Sequence, residues 1–100
     1  MSNSAPGQIL RRRFLEPLNI TATDLAKAMG VSQSVISRII NGKSGITADI
    51  ALRLELALTI SADTWMNLQT NHDLAMARQK LQETPVEVVR LYGGDMLDAG

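Results

Sequence analysis

Residues 32–38 combine hydrogen-bonding and aliphatic side chains in one short stretch. Gln33 and Arg38 carry planar groups that can bind two atoms of one base edge at once, glutamine on adenine and arginine on guanine. Serine hydroxyls, which donate or accept, complete the set at Ser32, Ser34 and Ser37. If these side chains project from one exposed helical face, their chemistry is that of base recognition in the major groove of DNA.

A helix-turn-helix is predicted around this cluster, over residues 21–43. Thr21 and Asp24 have the spacing of a capping box, which starts the first helix. Ser32 is a good N-cap for the second helix, and Gly30 permits the sharp turn between the two. The apolar residues expected on the inner faces are Leu25, Ala28 and Met29 in the first helix, and Val35, Ile36, Ile39 and Ile40 in the second. The polar cluster is thereby left on the outer face.

Three further helices are predicted, one before this unit and two after it. The first contains Leu10 and Phe14, four residues apart on one face. The fourth begins at a Thr47 cap and is apolar nearly all round, which is typical of a central helix. The fifth begins at Ser61 and, if unbroken to Gln82, has about 22 residues and spans roughly 33 Å. Because a five-helix core needs less than this length, we expect its distal half to lie against something else.

The C-terminal stretch after residue 82 admits two interpretations. Residues 86–92 alternate as a strand would, and their β-branched side chains favour that state. Thr84-Pro85-Val86-Glu87, however, is the pattern of a capping box with proline at the first helical position. We expect the second outcome, a short helix that ends at Gly93-Gly94.

Charge is distributed unevenly along the chain of 100 residues, although ten basic and ten acidic side chains cancel to zero. Residues 1–53 contain seven basic and three acidic side chains, a net charge of +4. Residues 54–100 contain three basic and seven acidic ones, a net charge of −4. Such asymmetry indicates a basic binding half, so overall neutrality does not exclude nucleic acid as a partner.

The composition favours a single globular domain without catalytic, metal or membrane signatures. There is no cysteine and one histidine, which excludes a thiolate site and an ordinary zinc site. No nucleophile elbow, phosphate loop or HExxH pattern occurs, and no apolar run approaches the roughly 18 residues of a membrane span. We therefore expect a cytoplasmic protein that is not an enzyme and needs no cofactor. Trp65 is expected in the core, and His72 in a half-buried packing position.

Residues 21–43, with Asn41-Gly42-Lys43 at their end, resemble the lambda-repressor-like or XRE-type helix-turn-helix family. The similarity continues through GQILRRRFLEPL (7–18), GITADIALRLELAL (45–58) and SADTWMNLQTNHDLAMAR (61–78), which resemble the HigA-type antitoxins. The resemblance implies an all-α fold, a lambda-repressor-like five-helix bundle with a C-terminal extension. It also implies a homodimer that binds a double-stranded DNA operator, represses its own operon and neutralises a RelE-like ribonuclease toxin of the HigB type.

The resemblance assigns roles to individual residues. The positions that read bases in the family are occupied by Gln33, Ser34, Ser37 and Arg38. The positions that contact the DNA backbone are occupied by Thr21, Thr23, Asn41 and Lys43, and Ser32 can do either. Arg12 and Arg13 depart from the family pattern, in which acidic residues are common, and Thr59 replaces the common glycine after the fourth helix.

Dimerisation is predicted to use the distal half of helix five and the tail, because their apolar residues exceed what one small core can bury. These residues are Leu74, Ala77, Leu81, Val88 and Leu91. The predicted organisation is a DNA-binding domain over residues 1–82 and a tail over residues 83–100. Two alternatives stay open: a stand-alone regulator without a toxin, and an interaction module that has lost DNA binding.

Overall fold

Helices joined by short turns make up the structure, a computed structural model that describes residues 5–93. Five α-helices occur in this range, and the first continues directly as a π-helical segment, Arg11–Leu15. Their bounds are Pro6–Leu10 (α1), Ala22–Met29 (α2), Gln33–Ile40 (α3), Ala48–Leu58 (α4) and Ala62–Glu83 (α5). The all-α prediction, the helix-turn-helix at α2–α3 and the 22-residue length of the last helix are confirmed.

Hydroxyl side chains start the later helices as the sequence predicts. Thr21 accepts a hydrogen bond from the amide of Asp24, whose carboxylate accepts one in return, which completes the capping box. Thr47 and Ser61 cap α4 and α5 by accepting hydrogen bonds from the amides of Ile50 and Thr64. Ser32 occupies the N-cap position of α3 with extended backbone, but its hydroxyl lies 3.1 Å from that of Ser34 and makes no capping bond.

The core lies where all five helices meet. Its buried hydrophobic members are Leu10, Leu15, Leu25, Ala26, Met29, Ile36, Ile39, Ile46, Ile50, Ala51, Leu54 and Trp65. Trp65 is 1% exposed, and its ring packs at 60° to that of Phe14 with centroids 5.7 Å apart, which confirms its predicted place in the core. His72 is half-buried, also as predicted.

Two predictions about apolar faces were wrong. Ala28 is exposed, and the small residue that faces inward from α2 is Ala26, one half-turn away. α4 does not occupy a central position, because Leu52 and Leu56 remain exposed, Leu56 by 82%. The buried stripe of α4 is formed by Ile50, Ala51 and Leu54, and the partly buried Ala57 and Leu58 pack against the core beside it. The apolar residues outside this stripe therefore do not show that α4 is central, since two of its leucines are exposed to solvent in the chain.

The start of α1 lies against the end of α3. A Cβ atom at Gly7 would come within 1.8 Å of the Ile39 carbonyl oxygen, far inside van der Waals contact. Glycine at this position therefore lets the two backbones approach closely. This contact fixes the C-terminal end of α3 against the rest of the bundle.

The predicted C-terminal helix does not form. Residues 84–93 are neither helix nor strand, and Gly94, at the predicted helix end, lies outside the described residues. Thr84 has φ −135° and ψ 79°, because the ring of Pro85 disfavours helical backbone at the preceding residue. A valine-rich helix this short gains little in water without a packing surface, and Val88 and Leu91 are 81% and 95% exposed.

The turn between α2 and α3 depends on a left-handed residue. Gly30 has φ 73° and ψ 32°, a conformation that glycine adopts without a steric penalty. The next amide, of Val31, donates to the carbonyl of Ala26 at 3.0 Å and closes the end of α2. Ser32 returns to extended backbone, so only three residues separate the end of α2 from the start of α3.

Arg53 on α4 holds this turn from the side. Its Nη1 donates to the carbonyl oxygens of Met29 at 2.7 Å and Gly30 at 3.4 Å, and its Nε donates to Asp49 at 3.0 Å. A cation at a helix C-terminus satisfies carbonyls that lack a helical partner and opposes the negative end of the helix dipole. α4 thereby sets the position from which α3 departs.

Substitution of Arg53 by Met tests this clamp. The methionine retains the aliphatic contact but leaves the Met29 carbonyl without its charged donor. We expect the free energy of unfolding to fall by about 1–2 kcal/mol, measured by urea denaturation at one protein concentration. Asp49→Asn is the control, because it weakens only the exposed ion pair and the loss should be smaller, about 0.5 kcal/mol. Equal losses in the two variants would contradict the clamp.

Candidate nucleic-acid interface

The outer face of α3 presents most of the predicted base-reading residues. Ile36 and Ile39 are buried, which turns the opposite face of the helix to solvent. Gln33, Ser34 and Arg38 are all exposed on that face. A helix anchored on one side with polar side chains near its N-terminus has the arrangement of a recognition helix.

Ser37 differs from the other three. Its side chain is half-buried, and its hydroxyl oxygen accepts a hydrogen bond of 3.4 Å from the side-chain Nδ2 of Asn41. The hydroxyl hydrogen of Ser37 can still be donated to a base, because accepting one bond leaves the donor function intact. Ser37 and Asn41 thus form a pair in which the predicted base-reading residue orients the predicted backbone-contacting residue.

The predicted backbone-contacting residues flank α3 on both sides. Thr21 and Thr23 lie exposed at the N-terminus of α2, and Asn41 and Lys43 lie exposed just after α3. Although the oxygen of Thr21 accepts the Asp24 amide, its hydroxyl hydrogen can be donated outward. Hydroxyl and amide donors beside a recognition helix position it on phosphates without reading sequence.

The loop after α3 turns back sharply on the helix end. The amides of Lys43 and Ser44 both donate to the carbonyl of Arg38, at 2.8 and 3.2 Å, and Gly42 has φ 74°. The left-handed stop predicted at Asn41-Gly42 is therefore confirmed. This geometry keeps Lys43 next to the C-terminal end of α3, where an ammonium group extends the footprint of the helix.

The cations of this surface are not neutralised within the chain. Arg38 and Lys43 take part in no ion pair among residues 5–93. Two other basic residues do: Arg11 lies 3.5 Å from Glu16, and Arg53 lies 3.0 Å from Asp49. Two positive side chains on one exposed surface, without internal partners, suit a polyanionic ligand.

Arg53 is the functional residue that the sequence analysis did not single out. Its spacing of four residues from Asp49 predicts an ion pair on one helix. Its shortest hydrogen bond, however, is to the carbonyl of Met29, 24 residues earlier in the chain. No local sequence pattern predicts that partner.

Other kinds of site receive no support from the geometry. Within the described range, no group of three or more metal-ligating side chains comes together. No helix among residues 5–93 is both long and apolar enough to cross a membrane.

Comparison with known proteins identifies relatives of this chain. Residues 12–65 match the helix-turn-helix family. The chain is 48% identical over 77 residues to the virulence-associated protein I of Dichelobacter nodosus, covering 77% of this chain and 71% of the relative. It is 42% identical over 86 residues to the antitoxin HigA-1 of Vibrio cholerae, covering 86% of this chain and 81% of the relative.

A solved structure extends the similarity to three dimensions. The Pseudomonas aeruginosa antitoxin HigA, determined with the higBA promoter, superimposes with a TM-score of 0.82 at 36% identity. The match covers 90% of this chain and 99% of the other. From the family match, the sequence identity and this superposition, the chain belongs to the helix-turn-helix family and, within it, to the HigA-type antitoxins.

Proposed function

We propose that this protein is a sequence-specific DNA-binding repressor that acts as the antitoxin of a HigBA-like pair. The observation that carries the proposal is the exposed polar face of α3, rigidly anchored by Ile36 and Ile39. On this proposal Gln33, Ser34, Ser37 and Arg38 read base edges, while Thr21, Thr23, Ser32, Asn41 and Lys43 contact the sugar–phosphate backbone. The similar antitoxin solved with its promoter supports this assignment.

A two-fold dimer suits this mode of binding. Two copies of α3 would enter successive major grooves, with half-sites about 34–36 Å apart. The tail and distal α5 supply surface for such a dimer, because Leu74 and Leu81 are exposed by 45% and 51% and Val88 and Leu91 by more. Ala77 lies on the same stripe of α5 as Leu74 and Leu81, at i, i+3, i+7 spacing. We propose these five residues as the dimer interface.

The proposed boundary between domain and tail lies at the end of α5. Residues 1–82 would form the DNA-binding domain, and residues 83–100 a tail that contacts the second copy or another partner. α5 ends at Glu83, and residues 84–93 are exposed. Helix formation is not part of this proposal, since residues 84–93 are not helical.

The partner of the antitoxin activity is proposed from family membership and charge. We propose that it is a RelE-like ribonuclease of the HigB type, whose gene neighbours this one. A net charge of −4 over residues 54–100 suits a basic partner, although Asp95 and Asp98 lie outside the described residues. We propose that the protein acts in the cytoplasm, where it would meet both operator DNA and a toxin that acts on RNA, and that it works without a cofactor or catalysis of its own.

Operator binding gives the direct test. We expect fluorescence anisotropy to show specific binding to the DNA upstream of its own gene, weakened steeply by salt. Gln33→Ala and Arg38→Ala should each lower the affinity for that DNA by about 10–100-fold, because each removes a base contact of about 1–3 kcal/mol. Gln33→Ala should leave the affinity for scrambled DNA unchanged.

Two exposed residues of α5 serve as matched controls. Gln79→Ala changes the same residue type as Gln33→Ala, and Lys80→Ala removes a basic side chain as Arg38→Ala does. Both positions are far from α3 in sequence, and both variants should leave binding unaltered. Operator affinity that is flat with salt and insensitive to Gln33→Ala and Arg38→Ala would favour the alternative, an interaction module without DNA binding.

Dimerisation has its own test, by sedimentation of the full chain. Leu81→Glu should shift the protein towards its 10.9 kDa monomer, because the dimer would bury an unpaired carboxylate. Leu56→Glu is the control: this leucine is more exposed than Leu81 but lies on α4, so dimerisation should not change. A Leu81→Glu protein that sediments as the wild-type dimer would exclude this interface.

Antitoxin activity is tested by co-expression with the neighbouring gene. Expressed alone, that gene should arrest growth, and the wild-type chain should relieve the arrest. The double variant Gln33→Ala/Lys43→Ala should still relieve it if toxin binding does not use the α3 surface. If the neighbouring gene has no effect on growth while operator binding is intact, the stand-alone regulator is the better description.

A further inference from the structure

Gln69 is the one polar residue among residues 5–93 that is buried with its side chain directed inward, at 9% exposure. It lies in the middle of α5, 23 residues from the chain segment that it contacts. Its Oε1 accepts a hydrogen bond of 2.7 Å from the backbone amide of Ile46. A buried amide without an acceptor is costly, so this bond has structural value in any case.

The segment that Gln69 binds is the loop between α3 and α4. At the start of the loop, the amides of Lys43 and Ser44 are bound to the Arg38 carbonyl at the end of α3. At the end of the loop, Ile46 is buried and bound to Gln69. Lys43, which the proposed function places on a phosphate, therefore stands on a short loop that is held at both ends.

The loop passes directly over the Gln69 amide. A Cβ atom at Gly45 would lie 2.9 Å from its Nε2 and 3.2 Å from its Oε1. Glycine at this position lets the backbone lie on the side chain, so the amide plane determines the height of the loop above α5.

Asp73 sets the orientation of the Gln69 side-chain amide. Its Oδ1 accepts a hydrogen bond of 2.9 Å from Gln69 Nε2, one turn further along α5. The carboxylate attracts the NH2 group, and the Oε1 is thereby directed towards Ile46. The three groups form a relay from the surface of α5 to the loop after α3.

We propose that Gln69 is a positioning residue for DNA binding, which holds the 42–46 loop so that Lys43 meets the DNA backbone. The inference rests on the proposed function. α5, which the proposed dimer uses at its distal half, is thereby connected at its middle to the phosphate-contacting edge of α3. A residue that merely satisfies a buried amide would alter stability but would not act through Lys43.

Gln69→Glu is the variant that tests the relay. A glutamate retains the acceptor for Ile46 but turns its second oxygen towards the Asp73 carboxylate, so that two negative groups repel. We expect the operator affinity to depend less on salt, with the slope of log K against log salt concentration falling by about 0.9 per protomer for one lost phosphate contact. The ratio of affinities for operator and scrambled DNA should stay within twofold of wild type, unlike that of Gln33→Ala.

The role of Lys43 is isolated by a double-mutant cycle. Lys43→Ala alone should lower the slope by the same amount, and Gln69→Glu in that background should lower it no further. Gln69→Glu/Asp73→Asn should restore the wild-type slope, because an asparagine amide can donate to the glutamate. If Gln69→Glu fails to fold by circular dichroism, Asp73→Ala provides the same measurement from an exposed position, with a partial fall in slope expected.

The outcomes separate this inference from the proposed function. Effects of Gln69→Glu and Lys43→Ala that add, or a Gln69→Glu or Asp73→Ala slope equal to wild type, would overturn the positioning role. If the wild-type protein shows no salt-dependent operator binding, the proposed function itself fails.

Discussion

The turn between α2 and α3 is the constraint on which the candidate interface depends. Gly30 adopts left-handed backbone, and Arg53 binds the carbonyl groups of Met29 and Gly30. Side-chain chemistry on α3 is useful only if the helix leaves the bundle in a fixed direction, since base recognition requires donors and acceptors placed to within a fraction of an ångström. The turn and its clamp, with Ile36 and Ile39 beneath, provide that rigidity.

The other end of α3 is held by different means. Gly7 allows the start of α1 to press on the Ile39 carbonyl, and the following loop is fastened through Ile46 to Gln69. The recognition helix is therefore supported by α4 at its beginning and by α1 and α5 at its end. Each support comes from a residue that has no part in base recognition, which separates positioning from readout.

Unpaired positive charge and exposed apolar side chains lie in different parts of the molecule. Arg38 and Lys43 are left without internal ion pairs on the α3 surface, whereas Leu81, Val88 and Leu91 stand exposed at the distal end of α5 and in the tail. The zero net charge thus reflects two opposite halves of the chain, and the residues that would meet DNA all belong to the basic one. On the proposed function, phosphate contacts supply salt-dependent affinity, and sequence discrimination rests on a few side chains of α3.

The sequence alone determined the features that depend on near neighbours in the chain. Capping at Thr21, Thr47 and Ser61, the glycine turn and the apolar stripe of α3 follow from contacts within about four residues, and all were predicted correctly. The exposed face with Gln33 and Arg38 followed from the same periodicity. The tail shows where the local pattern fails. The capping-box pattern at Thr84 did not produce a helix, since residues 84–93 are exposed and a short helix gains little stability without burying apolar surface. The partners of Arg53 and Gln69, 24 and 23 residues away, were decided only by tertiary structure, because the packing of α4 and α5 determines which backbone groups come within hydrogen-bonding distance.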